Sequence, residues 1–260
     1  MKIKISYITH QGKKRKHNED AIMLMNEVIQ INEMSIPIVE DIEAEKVFFA
    51  VADGIGGSKA GELASRKVLM HLKKRWESVN SKEKISKLIN AAHLDLIEYA
   101  QKNPSVGNYG TTIAGLFIEN LKVIIFNVGD SRIYRENQGF LEQLSMDQSL
   151  VQSLLDQKII TPEEAIYHPE KNVILESIGG KLKKRNIEVK YREAKIKEED
   201  IFIICSDGLT DMLNIDEMEN CLKENIAISV KNLFTAAMKK GGLDNISIMI
   251  TKIVKLKEEI

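Results

Sequence analysis

Four short apolar runs in this sequence end or begin on an aspartate, and these junctions are where chemistry can be read first. Residues 47–52 (VFFAVA) stop at Asp53-Gly54, residues 123–128 (VIIFNV) at Gly129-Asp130, and residues 201–205 (IFIIC) at Ser206-Asp207-Gly208, while Asp244-Asn245 opens the run ISIMI at 246–250. A glycine beside a carboxylate lets the backbone turn sharply and bring a carbonyl close to a ligand. Carboxylates, carbonyls and water together make a hard oxygen shell suited to Mg²⁺ or Mn²⁺. Each dipeptide taken alone is an ordinary turn. Four carboxylates at the ends of the most apolar strands are another matter. If they converge, they repel one another and rise in pKa unless a cation sits among them. A second cluster, Arg15-Lys16-His17-Asn18-Glu19-Asp20, precedes another apolar stretch. The planar fork of Arg15 can grip a phosphate through two hydrogen bonds, and Glu19 and Asp20 add acceptors for water.

Composition narrows the partners. The 260 residues carry 37 Lys+Arg against 38 Asp+Glu, a formal net charge of -1, so no basic excess exists to hold a nucleic acid backbone. Five histidines without an HExxH or other paired spacing give no support to an imidazole metal site, which leaves oxygen as the ligand. The two cysteines, Cys205 and Cys221, are too few for a disulfide framework and are expected to be free thiols in a reducing cytoplasm. The first residues alternate charged and apolar positions, unlike a secretory signal, and no apolar run approaches the length of a membrane span.

The elements that would position these groups follow from periodicity. Ile3, Ile5 and Tyr7 alternate as a strand, Ala21 to Ile31 reads as a second, and a polar stretch from Asn32 to Glu45 connects them to a short apolar strand at 46–52. Ala64, Val68, Leu69, Leu72 and Trp76 recur at helical spacing. Ile85, Leu88, Ile89, Ala92, Leu96 and Tyr99 do so again, with Ser81 as N-cap and Pro104 and Gly107 as breakers. Residues 111–128 read as a hairpin turning at Glu119-Asn120, and 131–144 as another turning at Asn137-Gln138-Gly139. A helical insertion follows at 147–157, and Thr161-Pro162-Glu163-Glu164 has the form of a capping box. Strands at 187–192 and 200–206, helices near 216–224 and 229–239, and a strand at 246–254 complete the chain, which reads as one domain over 1–260.

In order, Arg15-x-x-Asn18-Glu19-Asp20, Val51-Ala52-Asp53-Gly54-Ile55-Gly56-Gly57, Gly110-Thr111-Thr112, Val128-Gly129-Asp130-Ser131-Arg132, Cys205-Ser206-Asp207-Gly208-Leu209 and Asp244-Asn245-Ile246-Ser247 resemble the motif series of the metal-dependent type 2C protein serine/threonine phosphatases, in their compact bacterial form. The resemblance runs from about residue 3 to residue 253. It implies an α+β fold, a central sandwich of two antiparallel β-sheets flanked by helices in four layers, with a flap at about 145–185. It also implies two Mn²⁺ or Mg²⁺ ions and a weaker third. Asp53 would bridge the two metals, Gly54 would lend its carbonyl, and Asp207 and Asp244 would complete one shell. Glu19 would reach the second metal through water, Asp130 with Asp207 would hold the third ion, Asp20 would orient the attacking water or hydroxide, and Arg15 would bind the substrate phosphate. The substrates implied are phosphoserine and phosphothreonine proteins, opposed by a serine/threonine kinase. Hydrolysis would proceed by a metal-bridged hydroxide.

The chain departs from the family pattern at three places. Ile55 stands where many eukaryotic relatives have a histidine, so no imidazole general acid carries over; Gln148 stands where the flap often has histidine, and Glu176 where arginine is frequent. A phosphocysteine route has no support, because neither cysteine lies in a His-x5-Arg context. The alternative to an enzyme is a catalytically silent regulatory module on the same fold, which would be expected to lack ligands that this chain keeps. A metal-dependent phosphodiesterase or nuclease is a third reading, and it needs a basic surface that the charge balance does not offer.

Overall fold

The computed structural model describes residues 1–56, 59–107, 109–180 and 185–256. The strands are β1 (Lys2–His10), β2 (Ala21–Leu24), β3 (Glu27–Ile29), β4 (Ile38–Glu43), β5 (Lys46–Ala52), β6 (Gly54–Ile55), β7 (Gly110–Thr111), β8 (Ile113–Glu119), β9 (Lys122–Val128), β10 (Arg132–Asn137), β11 (Phe140–Gln143), β12 (Lys190–Lys195), β13 (Ile201–Cys205) and β14 (Ile246–Lys255). The helices are α1 (Lys59–Lys73), α2 (Lys82–Lys102), α3 (Leu150–Asp156), α4 (Pro162–Ile166), α5 (Asp207–Thr210), α6 (Ile215–Cys221) and α7 (Ile226–Lys239). Two six-stranded sheets form, ordered β11-β10-β13-β14-β1-β4 and β12-β9-β8-β5-β2-β3, with every neighbouring pair antiparallel.

The wholly apolar strands are explained by burial on both faces. Successive side chains point to opposite sides of a strand, so along β5 Val47, Phe49 and Val51 face the other sheet with Ile3, Ile5 and Phe202. Phe48 and Ala50 face the helical layer with Val68, Leu72, Ile85 and Ile89 of α1 and α2. On the far side α7 covers β1 and β14, with Val230, Leu233 and Ala237 buried. The result is the four-layer α-β-β-α sandwich that the resemblance implied.

Three local expectations need correction. The stretch 21–31 is a hairpin and not one strand, because Met25 takes a left-handed φ of 47° and folds β3 back on β2. The polar connection 32–45 contains β4. Its charged residues sit on a sheet edge, paired to β1 on one side only, so the strand needs no apolar run. The β8–β9 turn falls at Asn120-Leu121, with φ of 49° and 60°, one residue later than expected, since Glu119 and Lys122 pair directly. In addition, the strand read at 187–192 is β12, at 190–195.

The capping box at Thr161 is present as read, with Thr161 Oγ1 accepting from the Glu164 N–H and Glu164 bonded back to the Thr161 N–H. Ser81 likewise caps α2. Of the flap span 145–185, residues 181–184 lie outside the described residues, as does Gly57 of the second motif.

Candidate active site

The antiparallel order places the C-terminal ends of β1, β9 and β13 and the N-terminal ends of β10 and β14 at one end of the sandwich. The aspartates therefore converge. Asp53 leaves β5, Asp130 joins β9 to β10, Asp207 opens α5 just after β13, and Asp244 precedes β14. Burial pushes the Asp53 carboxyl well above the ordinary carboxylate range, and repulsion from Asp20, Asp207, Asp130 and Asp244 adds to it. Asp130 is raised by burial and by Asp207 and Asp147. Asp207 is pushed up to about 6 by burial and by Asp244 and Asp211. Asp20, fully buried, is pushed up to about 7 by burial, against hydrogen bonds from Ser206 and Ser247 that lower it.

Cross-chain hydrogen bonds hold these groups. Ser206 Oγ donates to Asp20 Oδ2 at 2.7 Å, and its oxygen accepts the Ser247 N–H at 3.0 Å. Asn245 is the hub. Its Oδ1 accepts the Glu19 N–H at 2.8 Å, and its Nδ2 donates to the carbonyls of Gln11 at 3.0 Å and His17 at 2.9 Å. Asn18 Nδ2 donates to Thr9 Oγ1 at 2.7 Å and to the Ile31 carbonyl at 2.8 Å, which seats the loop that carries Glu19 and Asp20. The Asp53 carbonyl accepts from Thr111 Oγ1 at 2.7 Å and from the Thr112 N–H at 2.9 Å. Arg15, half exposed at the rim, donates to Asp244 Oδ2 at 2.6 Å.

Three glycines permit close approach. A Cβ on Gly208 would land on the Asn245 carbonyl oxygen, and one on Gly61, in the first turn of α1, would land on Glu19 Oε2. Gly54 is pressed between the Gly61 carbonyl and the Glu19 carbonyl in the same way.

The structure thus brings Glu19, Asp20, Asp53, Gly54, Asp130, Asp207, Asp244 and Arg15 to one end of the molecule. Sequence reasoning gave no role to Asn245, Ser206, Thr111 or Gly61. For Gly61 a signal existed, an isolated glycine at the start of a helical pattern. Among the three departures, Ile55 pairs with Gly110 in the small β6–β7 ribbon. Glu176 is bonded through both oxygens to Arg185 Nη2, at 2.9 and 2.8 Å. Gln148 is buried and spans the base of the flap. Cys205 has its thiol pushed up to about 12, chiefly by burial, and is no nucleophile.

Whether these residues suit divalent cations can be judged from their unpaired atoms. Asp20 Oδ1, Asp130 Oδ1 and Asp207 Oδ1 are buried without a hydrogen-bond partner. Buried carboxylate oxygens left so are costly unless a cation or proton neutralises them, and an all-oxygen set suits a hard ion. Among the described residues no three acidic, His or Cys side chains already close into a metal-ligand set. The donor chemistry fits.

Fold and site together define the class of four-layer sandwich phosphatases. The family model for protein phosphatase 2C matches residues 39–240. A serine/threonine phosphatase named stp from Listeria monocytogenes is 34% identical over 253 residues, covering 94% of this chain and 93% of its own. The crystal structure of the serine/threonine phosphatase Stp1 from Staphylococcus aureus superposes with a TM-score of 0.83 at 30% identity, covering 96% of this chain and 95% of that one. The catalytic domain of the phosphatase PstP in complex with 2 manganese ions is also similar, at TM-score 0.77 and 25% identity over 98% of this chain and all of that one. This chain belongs to the protein phosphatase 2C family and is a serine/threonine phosphatase of the bacterial type.

Proposed function

We propose that the chain, acting as one phosphatase domain, hydrolyses phosphoserine and phosphothreonine in proteins with two divalent cations, Mn²⁺ or Mg²⁺, and a more weakly held third. The observation that carries this reading is the set of three buried, unpartnered carboxylate oxygens on Asp20, Asp130 and Asp207 within one cluster. Asp53, the Gly54 carbonyl, Asp207 and Asp244 would hold the tight ions, Glu19 would act through water, and Asp130 with Asp207 would hold the third. The manganese-bound relative supports the choice of ion.

When bound, such cations supply Lewis acidity that activates water and neutralises phosphoryl oxygens. The chain's own residues do the remaining work. Arg15 offers guanidinium N–H groups from the rim to the substrate phosphate. Asp20, with one oxygen fixed by Ser206, presents the other to orient a water or take its proton. Thr111 and Thr112 hold the Asp53 backbone. Ile55 provides no proton, so the leaving serine or threonine oxygen takes one from water or from another group.

Both cysteines are free, and among the described residues no helix is long and apolar enough to cross a membrane. The free thiols fit a reducing compartment, the cytoplasm, and phosphoserine and phosphothreonine substrates presuppose an opposing serine/threonine kinase. The test is hydrolysis of a phosphothreonine peptide with Mn²⁺, with Mg²⁺ and with EDTA, beside a DNA phosphodiester. Peptide turnover only with a cation, absent in Asp53→Asn, is the expected result. Cation-independent turnover would overturn the metal reading, DNA cleavage would favour the nuclease, and no turnover on any phosphopeptide would favour the silent module.

A further inference from the structure

All four hydrogen-bonding groups of Gln148 are engaged, and they join three parts of the chain. Its side-chain Oε1 accepts from the Gly129 N–H at 2.8 Å and its Nε2 donates to the Glu188 carbonyl at 2.9 Å. Its own N–H donates to the Gly129 carbonyl at 2.9 Å, and its carbonyl accepts from the Leu175 N–H at 2.8 Å. One residue therefore grips Gly129 on both its donor and its acceptor. Gly129 is the residue that sets the direction of Asp130. It sits at a φ of +95° with the Thr112 methyl against it, and the Asp130 carboxylate that follows has a buried oxygen without a partner. Asn127 Nδ2 reaches the same Gly129 carbonyl at 3.2 Å and the Met146 carbonyl at 2.8 Å. The side chain of Gln148 adds the hold on the Gly129 N–H.

We propose that Gln148 is a positioning residue, holding the Gly129–Asp130 turn so that the Asp130 carboxylate stays aimed at Asp207 and tying that aim to the seating of the flap through Leu175. The proposal rests on the reading of Asp130 as a ligand of the weak cation. A carboxamide suits the task because it offers a donor and an acceptor together and keeps both across the neutral pH range. Gln148 need touch neither substrate nor ion.

The test compares Gln148→Met, similar in length without donor or acceptor, with Gln148→Glu, which keeps the acceptor facing Gly129. In the metal-free protein, amide hydrogen exchange at Gly129 is expected to quicken roughly tenfold in Gln148→Met, the equivalent of one lost hydrogen bond, and to stay slow in Gln148→Glu. In Gln148→Met the Mn²⁺ concentration for half-maximal turnover should rise about three- to tenfold, as should the weak step in a calorimetric Mn²⁺ titration, with KM for a phosphothreonine peptide unchanged. Added to Asp130→Asn, the substitution should cause no further loss. Unchanged exchange with an unchanged Mn²⁺ requirement would overturn the proposal, and so would losses that multiply in the double variant. An Asp130→Asn variant with normal turnover and normal Mn²⁺ titration would instead refute the reading of Asp130, and the Gln148 role would fall with it. If Gln148→Met does not fold, Gln148→Asn, one methylene short, carries the same comparison.

Discussion

Replacing Asp207 by asparagine should stabilise the metal-free protein above about pH 6 while removing turnover. The magnitude follows from the environment of the carboxylate. Its pKa lies at about 6 in the fold against 3.8 as the ordinary value, a shift of about 2 units, and at about 1.4 kcal/mol per unit this is about 3 kcal/mol. The sign is set by proton uptake. Below pH 3.8 both the folded and the unfolded chain hold the proton and the group has no effect. As pH rises from there the unfolded chain releases it first, so stability falls, and the loss is complete once the folded carboxyl has also ionised above about 6. Asparagine has no such ionisation. It still leaves a polar atom without a partner, at about 1–3 kcal/mol, but that term is the same at every pH and cancels in the comparison. The assay is urea denaturation in EDTA across pH 4 to 8 for both proteins. Across this window the stability difference should change by about 2 kcal/mol in favour of the variant, the rest of the shift falling below pH 4, and by more if Asp20, Asp53 and Asp130 are relieved too. Mn²⁺ at a thousand times its Kd should reverse the order, since a ligand at that excess adds about 4.1 kcal/mol to the protein that binds it. Parallel stability curves from pH 4 to 8, or substantial turnover in Asp207→Asn at high Mn²⁺, would refute the reasoning.

Other perturbations reach different parts of the site. Arg15→Ala is expected to raise KM for a phosphopeptide with a smaller fall in kcat and little change in metal binding, because Arg15 is a rim cation and not a ligand; steady-state kinetics beside Mn²⁺ calorimetry checks this. Asp130→Ala should retain the two tight ions and lose turnover in a way that high Mn²⁺ partly restores, whereas a mere turn defect would lower stability by about 1 kcal/mol with activity per folded molecule intact. Gly208→Ala should destabilise by about 1–3 kcal/mol and abolish turnover even at high Mn²⁺, since the new methyl meets the Asn245 carbonyl and moves Asp207.

Hydropathy made the inner strands legible, because a strand buried on both faces must be apolar throughout, and VFFAVA, VIIFNV and IFIIC could be little else. The aspartates that follow them were legible for the same reason, as abrupt changes at the strand ends. The caps at Ser81 and Thr161 needed only neighbouring residues and could be read in place. What sequence could not supply was adjacency. That Asp53, Asp130, Asp207 and Asp244 share one end of the sandwich depends on β13 lying between β10 and β14 and on β5 lying in the opposite sheet, pairings made between residues far apart in the chain. The motif order suggested that convergence by resemblance, and sheet pairing is what produces it. The same distance hid Asn245, whose oxygen meets the Glu19 N–H across 226 positions. An asparagine beside an aspartate reads locally as a turn, and only the tertiary fold, by bringing the Glu19 N–H and the carbonyls of Gln11 and His17 to it, gives its amide these partners. The strand β4 was hidden in the opposite sense: its charges are tolerated because it lies at an edge, and whether a polar segment becomes an edge strand is decided by the neighbour that offers it hydrogen bonds.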